Sequence, residues 1–298
     1  MQEQVTRFVR YLEMERGLSR STVKLYRRDL EGELLPFLRR RGKPRVEEVT
    51  RDDIRMYLDY LAAEKQNSAA TRARKLATVK SFFNYLVENE GLKANPAASI
   101  RSPKMPRREP EYLSDGECAR LLDAVASNAR PEVKERNTAV ILLFLHLGVR
   151  VSELVNLRMC DVDLEAGRIR VSRKGNKEQY LPLNSEALRS LRNYTAKRPQ
   201  PRNGRFFVDS KGQALSRTSV YNMVRRYLHL AGISKGKQGP HLLRHTFCMR
   251  LHQKGVNPFV IKELAGHRSL DTTMRYIRIE DKERVQALNS LEFGIANL

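Results

Sequence analysis

Four prolines, Pro96, Pro103, Pro106 and Pro110, fall within a basic stretch between Asn95 and Pro110 that carries little apolar content. Proline has no backbone N–H and disfavours helix in the residue before it, so regular structure cannot run through such a stretch. The stretch therefore splits the 298-residue chain into an N-terminal part (1–94), an extended linker (95–110) and a C-terminal part (111–298). Each part is long enough to need a core of its own.

The N-terminal part has the periodicity of a helical bundle. Val5, Phe8, Val9 and Leu12 recur at the spacing of one helical face, as do Ile54, Tyr57, Leu58 and Leu61 after Thr50, an N-cap paired with Asp53. A third stripe runs through Leu76, Val79, Phe82, Phe83, Leu86 and Val87, and a helix over Ser19–Leu38 is interrupted near Gly32 and Pro36. The C-terminal part is mixed. Ser114 and Glu117 form a capping box opening a helix to about Ala126, and Thr138–Leu147 is apolar all round, as a central core helix would be. Ile169 and Val171 alternate with polar neighbours, and a Gly-Asn turn at 175–176 leads into Gln179–Leu183, which predicts a β-hairpin. Arg205–Val208 reads as another short strand, and helices follow over Thr218–Leu230, His241–Lys254, Pro258–Leu264 and Ser269–Tyr276. The fold class is mainly α with a small β-sheet.

Charge narrows the partner. Lys and Arg number 56 against 34 Asp and Glu, a formal net charge of +22, so the usual partner is a polyanion. Nucleic acid is the first expectation, with an anionic membrane surface as the rival. The apolar run Ala139–Leu145 is too short to span a bilayer, and the acidic start of the chain does not read as a signal peptide. Cys118, Cys160 and Cys248 are widely spaced without a C-x-x-C, which predicts reduced thiols packed as small hydrophobes in a soluble, cytoplasmic protein.

Several residues can carry chemistry, each with a plainer alternative. Arg150 follows Gly148 at the end of the apolar helix, where a cation complements the helix dipole or grips a phosphate. Glu153 pairs or caps nearby. Lys174 sits at the hairpin tip, as an inert surface lysine or as a proton donor reaching into a groove. His241 and Arg244 are one helical face, and His245 lies four residues from His241, a metal-ligand spacing. The glutamate of H-E-x-x-H is replaced by Leu242, and Arg244 would repel a cation, so no metal or other cofactor is expected. His267 follows Gly266, and Tyr276 is either a half-buried aromatic or a nucleophile. Together, two arginines, two histidines and a lysine would supply positive charge and proton donors to a pentacovalent phosphorane, and ease ionisation of a tyrosine.

Gly148-Val-Arg-Val-Ser-Glu-Leu154, Arg173-Lys174-Gly-Asn-Lys177, His241-Leu-Leu-Arg-His245 and Leu264-Ala-Gly-His267, with Thr272-Thr-Met-Arg-Tyr276, occur in this order. The set resembles the tyrosine recombinases, most closely the Xer type, whose segments read G-x-R-x-S-E-L, G-K-G-x-K, H-x-L-R-H and L-G-H-x-S-x-x-T-T-x-x-Y. The resemblance covers almost the whole chain and implies an N-terminal SAM-like core-binding domain and an α+β catalytic domain. It implies site-specific DNA strand cleavage and rejoining, without metal, through a 3′-phosphotyrosyl intermediate and a Holliday junction. Arg150, Arg244 and His267 would bind the scissile phosphate, Lys174 would protonate the leaving 5′ oxygen, His241 would assist proton transfer, and Tyr276 would attack. Arg173 departs from the pattern at the first glycine of G-K-G, Ala265 at the position before Gly266, and Arg278 where a histidine often stands.

Partners follow from the same resemblance: double-stranded DNA, no membrane, and a homo-tetramer, or a heterotetramer with a related recombinase, on two DNA sites. Basic candidates for the DNA contact are Lys24, Arg27, Arg28, Arg72, Arg74 and Lys80 in the first part. Arg217, Thr218, Arg225 and Arg226 are those of the second. Each is equally well read as part of a solvated charged face. The final segment, Glu280–Leu298, has an apolar stripe through Val285, Leu288 and Leu291 suited to docking on a neighbouring protomer. Chromosome-dimer resolution, mobile-element integration and inversion are the tasks open to such an enzyme. Type IB topoisomerase-like relaxation, non-catalytic DNA binding and a nuclease holding Mg²⁺ at Asp161 and Asp163 are the other readings, the last opposed by a turn or cap role for those aspartates.

Overall fold

The computed structural model describes residues 1–104, 110–173, 178–201, 204–236, 238–267 and 269–274. Lys174, Tyr276 and the C-terminal stripe of Val285, Leu288 and Leu291 lie outside the described residues. The chain divides into two compact units, Met1–Arg108 and Glu109–Leu298.

The first unit is all helix: α1 (Gln2–Met14), α2 (Arg20–Asp29), α3 (Leu35–Arg40), α4 (Arg51–Ala63) and α5 (Ala69–Asn89). The stripes meet as their spacing predicts, with Val5, Phe8, Ile54, Tyr57, Leu76, Phe82 and Phe83 buried in one core. Val87 is an exception: it is exposed, at the outer edge of its helix. Thr50 and Asp53 cap α4 reciprocally. Between α2 and α3 the helix does not break at Pro36. A π-turn over Leu30–Leu34 widens the backbone, closed by Leu35 N–H donating to the Leu30 carbonyl, so the chain passes the proline without the clash its ring would make in a regular turn. That turn sits over two ion pairs with α5: Asp29, almost fully buried, accepts from Arg74 and from the Thr78 hydroxyl, and Glu33 accepts from Lys75. Ala97 and Ile100 are buried in the same core, so packing of this unit extends into the proline-rich stretch.

The second unit contains α6 (Asp115–Asn128), α7 (Pro131–Leu147), α8 (Val151–Asn156), β1 (Val162–Asp163), β2 (Arg168–Ser172), β3 (Glu178–Pro182) and α9 (Ser185–Lys197). Further on come α10 (Arg217–Leu230), α11 (Pro240–Gln253), α12 (Pro258–Ala265) and α13 (Leu270–Met274). α7 is the hub: every residue from Ala139 to Leu145 is buried. The strands form an antiparallel sheet in the order β1-β2-β3, with Ile169 opposite Leu181 and Val171 opposite Gln179. Asp161 accepts from the Arg158 N–H and Asp163 from the Ala166 N–H, so both aspartates cap turns.

Two expectations need correction. Arg205–Val208 is not a strand and makes only isolated bridges, Arg158 to Arg205 and Val208 to Ala214. The buried Tyr194 hydroxyl takes the groups a ladder would need, donating to the Phe206 carbonyl and accepting from the Val208 N–H, while Phe206 and Phe207 pack around its ring. Nor are all three cysteines packed as hydrophobes. Cys118 and Cys248 are, and burial pushes both thiols up to about 11, but Cys160 is exposed in the turn before β1. Helix α9, capped by Asn184 and burying Ala187, Leu191 and Tyr194, was not anticipated from the sequence.

Candidate active site

Two helices in the second unit end at glycines that only glycine can occupy, and each releases the chain into a candidate functional residue. Gly148 closes α7 with φ of 58°, and a Cβ there would lie 2.2 Å from the Phe247 ring of α11. Gly266 closes α12 with φ of 63°, and its Cβ would lie 2.6 Å from the Arg173 guanidinium. L-residues with side chains avoid the left-handed region, so both turns demand glycine by conformation as well as by space. Two residues after Gly148 comes Arg150, and immediately after Gly266 comes His267.

The last carbonyls of α12 are where the candidate residues converge. A helix leaves its C-terminal carbonyls without intrahelical partners, and the dipole makes that end negative. Here Gly266 O accepts from Arg150, Ala265 O from Arg244, and Leu264 O from Arg173 at 2.9 Å. Glu263 O accepts from the Gln179 amide at 3.1 Å. Arg244, buried on α11, also donates to the Gly148 carbonyl, so one side chain joins the two glycine turns. Glu153 anchors the cluster. It accepts from the Arg150 backbone N–H at 2.8 Å and guanidinium at 2.7 Å, and from Arg173 at 2.9 and 3.0 Å.

The electrostatics favour an anion. Three guanidinium groups crowd together, and two of them share the Glu153 carboxylate. Burial, with the Arg150 charge behind it, lowers Arg244 to about 10, which leaves it a cation at neutral pH. Burial likewise lowers Arg173, against the pull of Glu153. His267 is lowered to about 4 by burial and then by Arg244 and Arg150, so its imidazole is neutral. It offers a neutral imidazole, with Nδ1 2.8 Å from the Thr273 hydroxyl on α13. A phosphate held between the arginines would raise that pKa again.

Of the other candidates, His241 is at the exposed start of α11 and His245 is half-buried one turn on. No group of three or more His, Cys, Asp or Glu among the described residues is arranged to hold a metal ion. Among the described residues no helix is long and apolar enough to cross a membrane.

The basic candidates separate into two kinds. Lys24, Arg27 and Arg28 on α2, and Arg217, Thr218, Arg225 and Arg226 on α10, are exposed. Arg74 is committed to Asp29, while Arg72 donates to the Asn67 carbonyl and Lys80 to the Ala98 carbonyl. Arg173 and Gln179, which complete the corner at α12, were not among the sequence candidates.

Residues 111–283 match the model of the phage integrase family, and residues 5–90 match the phage integrase N-terminal SAM-like domain. A tyrosine recombinase XerC of Thermodesulfovibrio yellowstonii is 34% identical over 290 residues, covering 95% of this chain and 93% of the relative. A tyrosine recombinase of Pseudothermotoga lettingae is 35% identical over 294 residues, covering 98% and 99%. Among solved structures, the XerH site-specific recombinase bound to a palindromic difH substrate aligns with a TM-score of 0.77 at 22% identity, covering 97% of this chain and 94% of that one.

Proposed function

Because the chain belongs to the phage integrase family and is a tyrosine recombinase, a DNA strand transferase that acts at specific sites, we propose how its residues divide the work. Arg150 and Arg244 grip the scissile phosphate, and His267 donates a hydrogen bond to it as a neutral imidazole. The Tyr276 oxygen, giving up its proton, attacks phosphorus, the bond to the 5′ oxygen breaks, and Lys174 protonates that departing oxygen to leave a 5′-hydroxyl. His241 assists the proton transfers. The product is a 3′-phosphotyrosyl link, which keeps the ester bond energy until the 5′-hydroxyl of the partner strand attacks and restores the tyrosine. The observation that carries this reading is the convergence of Arg150, Arg244 and His267 on one corner at the C-terminus of α12. Fixed cations in a water-poor site stabilise charge developing on a phosphorane more than mobile ones do.

The exposed basic residues of α2 and α10 contact phosphates of the duplex and set affinity rather than sequence choice. Four protomers act on two duplexes and exchange strands in pairs through a Holliday junction, and the enzyme works in the cytoplasm.

The test is a suicide duplex, nicked near the cleavage point and drawn from a pool of candidate repeats, incubated with excess EDTA. Wild type is expected to give a covalent protein–DNA adduct on a denaturing gel, and Tyr276→Phe none. An adduct that persists in the phenylalanine variant would show that another residue is the nucleophile.

A further inference from the structure

Arg173 occupies the position where the recombinase pattern carries glycine, and it is the best-connected side chain of the corner. Its side chain is only 9% exposed. Nε donates to the Gln179 side chain at 3.0 Å, Nη1 to both oxygens of Glu153, and Nη2 to the Leu264 carbonyl at 2.9 Å. A second contact from Nη1 reaches the Ala265 carbonyl at 3.3 Å. Gln179 extends the same clamp from β3 to the Glu263 carbonyl. One guanidinium thus ties the β2–β3 hairpin to α8 through Glu153 and to the end of α12.

We propose that Arg173 is a positioning residue for strand cleavage: it fixes the turn that presents His267 and, by sharing Glu153, fixes the aim of Arg150. The inference rests on the recombinase reading above. Glu153 has two oxygens and three charged or polar donors upon it, so the direction of the Arg150 guanidinium depends on where Arg173 holds that carboxylate. Four successive carbonyls, from Glu263 to Gly266, take side-chain donors, and two of those donors come from the hairpin. Without Arg173, Leu264 O loses this donor, the Gln179 side-chain oxygen loses the Arg173 Nε–H, and Glu153 is free to turn wholly toward Arg150. Lys174, the general acid of the proposed reaction, is the next residue in the chain. Arg173 touches no reacting atom in this scheme; it acts through Glu153, Arg150 and the His267 turn.

The experiment compares full-length wild type with Arg173→Ala and Arg173→Lys on the nicked duplex, measuring equilibrium affinity and the single-turnover rate of adduct formation. Arg173→Ala is expected to keep its affinity and lose about 100-fold in rate, the scale of a misplacement near 1 Å. Millimolar guanidinium should restore much of the rate, and sodium chloride at equal ionic strength should not. The lysine variant should lie between, since an ammonium cannot reproduce the planar fork that serves Gln179, Glu153 and Leu264 together. A folded Arg173→Ala that cleaves at the wild-type rate overturns the proposal, as does a loss of affinity matching the loss of rate, or the absence of guanidinium rescue. If Arg173→Ala does not fold by thermal melting, Gln179→Leu is read instead: slower cleavage at unchanged affinity supports the clamp, and a wild-type rate overturns it. Absence of an adduct with wild type strikes the recombinase reading itself, whereas a wild-type adduct with indifferent Arg173 variants strikes only this inference.

Discussion

Gly148→Ala should be far more damaging than the same change at Gly232, although the two glycines have nearly the same backbone. Their φ values are 58° and 66°, both left-handed. An alanine pays about 1 kcal/mol or somewhat more for that conformation wherever it stands. At Gly232 nothing lies within 4 Å of the new methyl, so the conformational cost is the whole cost. At Gly148 the methyl would lie 2.2 to 2.9 Å from three carbons of the Phe247 ring, which is buried at 4% exposure and has no open side to move into. Overpacking of that kind adds about 1–3 kcal/mol, for a total of about 2–5 kcal/mol. Urea unfolding followed by far-UV circular dichroism, with hydrogen exchange read over α7, gives the comparison within one unit. A companion Phe247→Leu should make the alanine less costly, a coupling of about 1 kcal/mol or more between residues in contact. The damage should also reach the chemistry, because the Gly148 carbonyl accepts from Arg244 and Arg150 lies two residues on. Equal losses at Gly148 and Gly232 would refute the argument that the α7–α11 approach, and not the turn alone, selects the glycine.

His267 makes the second unit sensitive to acid. Its folded pKa of about 4 lies below the ordinary 6.5, so between those values the unfolded chain binds a proton that the folded one refuses. Stability should therefore be lost as pH falls from 6.5 toward 4 and level off below, by about 3 kcal/mol from this group, and His267→Gln should flatten that part of the urea-midpoint profile. In the first unit, Asp29→Ala removes the acceptor of both Arg74 and Thr78. It should cost about 3 kcal/mol, toward the low end for a buried pair because Arg74 is one-third exposed; a neutral change in hydrogen exchange over α2 and α5 would contradict this. On DNA, Arg217→Ala and Lys24→Ala should each weaken binding and lower the salt slope by about 1, while Arg74→Ala should lower stability and leave the slope alone. A filter-binding titration over salt separates the two cases.

In the first unit α1, α4 and α5 were legible because each carries a stripe of buried apolar residues, and α4 and α6 also open on capping boxes. What escaped had a competing tertiary cause. Arg205–Val208 looks like a strand by composition, but strand formation needs a ladder partner, and the Tyr194 hydroxyl claims its N–H and C=O first. That hydroxyl belongs to α9, so the helix and the absence of a strand at 205–208 are parts of one arrangement. At the π-turn, local signals at Gly32 and Pro36 located the disturbance correctly, but not that buried pairs from Asp29 and Glu33 to α5 would carry the helix through it.

The corner at α12 was half legible, and the missing half shows where strand alternation outranks motif matching. Arg150, Arg244 and His267 stand out by their motifs, whereas Arg173 stands in its segment as a departure from the pattern's glycine. Yet Ile169 and Val171 are the inward residues of β2 with Ser172 exposed between Val171 and Arg173, so the alternation already aims Arg173 into the fold. A charged residue at an inward position must find a partner or lose its charge. Glu153 is three residues beyond Arg150, already required by the cap of α8, and it is the carboxylate that meets the need. The departure from the family pattern is thus an added strut whose partners the fold supplies, which is why its removal should be felt in the rate of cleavage before it is felt in the grip on DNA.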